Sequence, residues 1–173
     1  MRRITIMAAC LLACLPVASA HATEAGPIVR DDATALLIGS AGTSALVEEF
    51  DYPWLLGAQY RGRPRTSWHL RPGFGVDAGR DDILYLYADA ARDFGLPQHW
   101  LVTLSLGAGW FANGESIGAN SDLEFKSGLA LARRLASGAR AGIAIYHFSN
   151  GGLSQPNNGS EALVLFFAWP LGR

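Results

Sequence analysis

Hydrophobic residues recur at every second position along most of the chain. Within 67–77, Trp68, Leu70, Phe74 and Val76 fall on one side, and His69, Arg71, Gly73, Gly75 and Asp77 on the other. In 83–91, Leu84, Leu86, Ala88 and Ala90 oppose Tyr85, Tyr87 and Asp89. Val102, Leu104, Leu106, Ala108 and Trp110 oppose Thr103, Ser105, Gly107 and Gly109, and Leu123, Phe125, Leu129 and Leu131 oppose Glu124, Lys126, Gly128 and Ala130. Leu163, Leu165, Phe167, Trp169 and Leu171 share the last stripe. A period of two is the pattern of a strand with unlike environments on its two faces.

Three further segments, 33–46, 53–61 and 139–149, bring the predicted strands to eight. They are separated by turn-like residues and are about ten residues long, the length of a tilted membrane-crossing strand. A helical bundle is excluded, since a spanning helix needs about 20 predominantly apolar residues. The longest uncharged stretches, 94–114 and 141–160, are interrupted by Pro97, Gln98 and His99 and by the polar run from His147. The predicted fold is all-β, an eight-stranded antiparallel transmembrane β-barrel with a narrow, side-chain-filled lumen. A soluble lipocalin-like barrel would invert the pattern, apolar inside and polar outside. Few charges on either face favour the membrane form. Termini and short turns at one end predict periplasmic connections near 62–66, 93–98 and 134–138. Those near 47–52, 78–82, 112–121 and 150–160 are then extracellular.

Composition agrees. Of 173 residues, 50% are hydrophobic and 17% charged, with a formal net charge of −1, so a nucleic-acid partner, which needs a basic footprint, is not expected. Part of the grease belongs to residues 1–20, where Arg2 and Arg3 precede an apolar run ending in Ala18-Ser19-Ala20, the pattern of a secretory signal peptide cleaved near Ala20 or Ala22. Cleavage leaves 21–173 as a single, mildly acidic barrel domain. It also removes Cys10 and Cys14, the only cysteines, and with them any disulfide or thiol chemistry. A lipoprotein reading, with Cys14 lipidated, is the weaker alternative because Ala-Ser-Ala ends the apolar region better.

One constellation carries chemistry. His147 and Ser149 lie two apart on a strand, so they share a face with Cα atoms roughly 6.5 Å apart. Glu161 opens the next strand after the loop 151–160, and antiparallel pairing brings it beside them. A nucleophile, a general base and an orienting acid are the parts of a serine hydrolase, recognised by role rather than order. By parity all three face the lipid with Ile143, Ile145, Leu163 and Leu165, where ionisable groups are costly and usually functional. With the strand centred near Ile143, Ser149 stands roughly 14 Å above the midplane, at the depth of lipid ester bonds.

The segment 147–161, HFSNGGLSQPNNGSE, resembles the active-site signature of the outer-membrane lipid A 3-O-deacylase (PagL) family in its His-x-Ser-Asn start, its Pro-Asn-x-Gly-x-Glu end and the spacing between them. The resemblance covers about the last 30 residues strongly and the rest only in length, leader and strand pattern. It implies an outer-membrane ester hydrolase that releases the 3-hydroxyacyl chain from position 3 of lipid A in lipopolysaccharide. Ser149 would be the nucleophile, His147 the base and Glu161 its orienter. Asn150 and the backbone amides of Gly151 or Gly152 would be candidates for the oxyanion hole. No cofactor and no metal are expected.

Other features have plainer readings. His69 is placed in the lumen and His99 near a periplasmic turn, both structural. Glu124, Lys126, Arg71, Asp77 and Asp89 are read as lumenal ion pairs. Arg61-Gly62-Arg63-Pro64-Arg65 reads as a solvated basic turn. Gly73, Gly75, Gly79, Gly107 and Gly109 lie on strands with no following helix, which argues for packing in a narrow lumen and against a nucleotide fingerprint. Trp54, Trp110 and Trp169 are expected as interfacial anchors and Tyr146 as lumenal. Glu48, Glu49, Asp51, Asp81, Asp82 and Glu115 on the extracellular side would suit divalent cations bridging to phosphorylated lipid A. The competing functions are a non-catalytic structural or adhesion barrel and a phospholipase on the same scaffold; a homodimer is left open.

Overall fold

The computed structural model describes residues 34–44, 46, 53–80, 82–113, 122–153 and 159–172. The leader, residues 23–32 and the acids Glu48, Glu49, Asp51, Asp81 and Glu115 lie outside them. Eight strands, β1 (Ala35–Ser44), β2 (Trp54–Arg61), β3 (Arg71–Gly79), β4 (Leu84–Gly95), β5 (Trp100–Ala112), β6 (Leu123–Arg134), β7 (Arg140–Ser149) and β8 (Ser160–Leu171), form a closed barrel in sequence order. Every neighbour is antiparallel, and β1 closes on β8 from Ala35–Leu171 to Ser44–Ala162. Closure removes the sheet edge, leaving no row of unpaired amides in the wall.

The wall is turned inside out relative to a soluble protein. Phe74, Leu86, Leu104, Leu106, Leu129 and Leu165 point outward and are exposed, while Arg71, Asp77, Glu124, Lys126 and Arg140 are buried within. Trp54 and Trp110 stand outward at one rim, Trp169 and Trp100 at the other, forming two aromatic girdles.

The lumen is filled in two tiers. Near the end that carries the longer connections, the Lys126 ammonium donates to Asp77 Oδ2 at 2.6 Å and sits 3.8 Å from the Tyr87 ring centre and 4.1 Å from that of Tyr146. Tyr85 stacks on Phe111 at 4.2 Å, and Phe148 meets both rings edge-on at 5.4 and 5.5 Å. Inward glycines make room for these rings: a Cβ on Gly75 would lie 2.5 Å from the Tyr87 hydroxyl, and one on Gly109 2.7 Å from the Tyr85 ring. Nearer the other end, Asp93 accepts from Arg140 and from Thr103, both at 2.7 Å, and Asp89 accepts from Gln59 at 2.8 Å with Arg61 3.7 Å away.

Three expectations need correction. His69 is not lumenal: it lies exposed in a turn at φ 55°, and β3 starts only at Arg71, so Trp68 also leaves the strand. Arg61 is not part of a solvated basic turn, because it ends β2 with its side chain inward beside Asp89, leaving only Arg63 and Arg65 exposed. Asp93 belongs to β4 rather than a turn, drawn into the ladder by its lumenal cations.

Leaving one member of a buried ion pair without its partner costs about 3–5 kcal/mol. Asp77→Ala is therefore expected to lower the stability of the refolded barrel by about that much, read from its urea unfolding midpoint, and the double variant Asp77→Leu/Lys126→Met by clearly less.

Candidate active site

β7 and β8 run antiparallel with His147 directly opposite Glu161 and Phe148 opposite Ser160. Both members of the first pair point outward, and the imidazole Nδ1 meets Glu161 Oε1 at 3.0 Å. The geometry follows from the connection between the strands, which brings the end of β7 and the start of β8 to the same rim. Phe148 fixes the strand from below: its ring is buried among Tyr85 and Phe111, so the residues on either side of it, His147 and Ser149, must face out.

Ser149 is half-buried at the last position of β7, level with Phe125 of β6. Among the described residues no hydrogen bond joins its hydroxyl to His147. In free enzymes the nucleophile–base contact is often long and closes when substrate arrives. With Nδ1 engaged by the carboxylate, Nε2 has no hydrogen-bond partner among the described residues. Below the three polar groups the wall is apolar, with Ile143, Ile145, Leu163 and Leu165 exposed on the same face.

Beyond Ser149 the backbone turns sharply. Asn150 is buried, its Oδ1 accepts from the Gly152 amide at 2.8 Å, and its carbonyl accepts from Leu153 at 3.1 Å. Gly151 and Gly152 adopt φ of +64° and +84°, a left-handed backbone that favours glycine. Of the amides considered for an oxyanion hole, that of Gly152 is thus engaged within the turn. Gly151 also packs against Phe125, whose ring would stand 3.1 Å from a Cβ there.

Two contacts were missed from the sequence, although Gly159 is itself the glycine of the Pro-Asn-x-Gly-x-Glu end. Ser127 of β6 lies directly opposite His147 on the side away from Glu161, also facing out. Gly159 abuts the His147 ring. The first follows from counting β6 against β7 once the register is known, and the second from noticing that a glycine two positions before Glu161 shares its face. His69 and His99 lie in turns at the opposite end, at φ 55° and 66°. Among the described residues no three His, Asp or Glu side chains come together as a metal site would require.

Because His147 and Glu161 are partly exposed, their pair adds little to stability, up to about 1 kcal/mol. Glu161→Gln is expected to leave the unfolding midpoint nearly unchanged, which separates a functional loss from a folding one.

The chain matches known proteins over the barrel. A curated relative, lipid A deacylase PagL of Pseudomonas aeruginosa, is 37% identical over 51 residues; the match spans 30% of this chain and 30% of that protein's length. The crystal structure of the outer-membrane enzyme PagL superposes with a TM-score of 0.58 at 20% identity, covering 79% of this chain and 99% of the other. A de novo designed transmembrane β-barrel gives 0.57 at 9% identity, covering 82% and 98%, a likeness of architecture alone. The family profile described as lipid A 3-O-deacylase (PagL) matches residues 54–170, which takes in β2 to β7, β8 up to its penultimate residue, and His147, Ser149 and Glu161. The chain belongs to the lipid A 3-O-deacylase (PagL) family.

Proposed function

We propose that this protein is an outer-membrane serine esterase that removes the 3-O-linked 3-hydroxyacyl chain from lipid A of lipopolysaccharide. The observation that carries the reading is the outward His147–Glu161 pair at 3.0 Å, with Ser149 on the same face at the rim of the barrel. A carboxylate hydrogen-bonded to an imidazole on a lipid-facing wall is costly, and a structural role gives no reason to keep one there with a hydroxyl beside it.

In the reaction, His147 Nε2 takes the proton of Ser149 as its Oγ attacks the ester carbonyl. Glu161 holds the imidazole tautomer through Nδ1 and stabilises the imidazolium that forms. The tetrahedral oxyanion needs donors placed in advance; Asn150 and the backbone amide of Gly151 are the groups we assign to it, the Gly152 amide being engaged with Asn150. Collapse returns the proton from His147 to the departing sugar oxygen and leaves an acyl-serine. Water, activated by the same imidazole, then releases the 3-hydroxy fatty acid. No metal or cofactor takes part. The apolar wall below Ser149 receives the acyl chains, while the phosphorylated sugars stay at the rim in the outer leaflet.

Mass spectrometry of lipid A from cells producing the protein tests this. Loss of one 3-hydroxyacyl chain is expected, abolished by Ser149→Ala and reduced by Glu161→Gln, the latter less severely because it removes orientation rather than the nucleophile. An unchanged lipid A profile beside a folded barrel returns the protein to a structural role, and cleavage of purified phospholipid instead makes it a phospholipase.

A further inference from the structure

Gly159 is the last residue before β8, two positions ahead of Glu161. Its backbone is left-handed, with φ +71°, and its missing side chain is aimed at the outward imidazole. A Cβ there would stand 3.0 Å from His147 Cε1, 3.7 Å from His147 Nε2 and 3.3 Å from the Phe148 carbonyl oxygen. Carbon atoms rest about 3.5–4.0 Å apart, so one of these neighbours would have to give way. The Phe148 carbonyl belongs to the main chain of β7, whose ring is wedged in the lumen; the imidazole is the softer partner.

Resting on the reading of His147 as general base, we infer that Gly159 is a positioning residue for it. Cε1 is the ring atom between the two working nitrogens. Glu161 holds the Nδ1 side, and Gly159 lets the Cε1–Nε2 edge lie flush against the start of β8. Any side chain at 159 rotates the ring outward, lengthening the contact to Glu161 and turning Nε2 away from Ser149 together. Gly159 does for the imidazole by close approach what Glu161 does by hydrogen bonding.

The backbone angle alone would penalise a substitution, so the experiment separates space from strain. Gly138, at φ +82° in a turn at the opposite end, would meet only Pro170 Cγ at 3.7 Å, an ordinary contact. Gly138→Ala therefore carries the strain of a left-handed alanine without touching the site. Gly159→Asn adds a Cβ but tolerates the left-handed backbone. In detergent micelles with lipopolysaccharide as substrate, Gly159→Ala and Gly159→Asn are both expected to lower kcat about tenfold or more with KM changed less than about twofold, while Gly138→Ala turns over as wild type. The Cε1–H cross-peak of carbon-13-labelled histidine, assigned to His147 by its loss in His147→Ala, is expected to move in both Gly159 variants.

Wild-type turnover in Gly159→Asn would mean that strain, not space, is what the glycine relieves, and would overturn the inference. So would an unmoved cross-peak, or failure of both Gly159 variants to fold where Gly138→Ala folds. If wild type leaves lipopolysaccharide intact, the esterase reading fails, yet the cross-peak still decides whether Gly159 sets the ring.

Discussion

A β-strand gives alternate side chains to opposite faces, and a closed barrel allows no strand to escape that rule. Once β1 pairs with β8, each residue in the wall is committed either to a lumen only a few side chains wide or to the outer surface. Slipping β6 by a residue would bring Glu124 and Lys126 to the apolar surface and put Leu123 and Phe125 in their place. The inward charges thus act as a register lock: Lys126 of β6 reaches Asp77 of β3, and Arg140 of β7 reaches Asp93 of β4, tying together strands that never touch in the ladder.

The same commitment makes the outward polar residues conspicuous. His147 and Glu161 occupy positions at which their strands otherwise present Ile145 and Leu163, and they face each other because the register of β7 on β8 leaves no alternative. Backbone pairing, not loop structure, sets the distance between His147 and Glu161. Phe148 anchors that stretch of β7 from within, so the aromatic tier of the lumen and the polar trio outside are two faces of one piece of strand. Precision at the site is inherited from packing on the other side of the wall.

Much of this was legible in the sequence. Period-two patterning gave the eight strands, their inward and outward faces and the partnership of His147 with Glu161, since all three depend only on parity and order. What escaped depended on partners far along the chain. Asp93 reads as a turn residue beside Phe94-Gly95 until Arg140 and Thr103 are seen to hold it. Arg61 looks like the first of three turn arginines, yet Asp89 takes it inward. Trp68 and His69 continue an alternating pattern, but the strand begins after them, because alternation does not mark where pairing starts. At the site, the Asn150 side chain closing on the Gly152 amide is local turn chemistry that a signature of residue types leaves undetermined, and the closeness of Gly159 to the imidazole shows only when a Cβ is placed against the ring.

The packed lumen has an effect beyond stability. Among the described residues, rings stacked at one level and ion pairs interlocked at another fill most of the width of the lumen, which narrows any aqueous path along its axis. The barrel's abundance is then only weakly coupled to the permeability of the membrane around it.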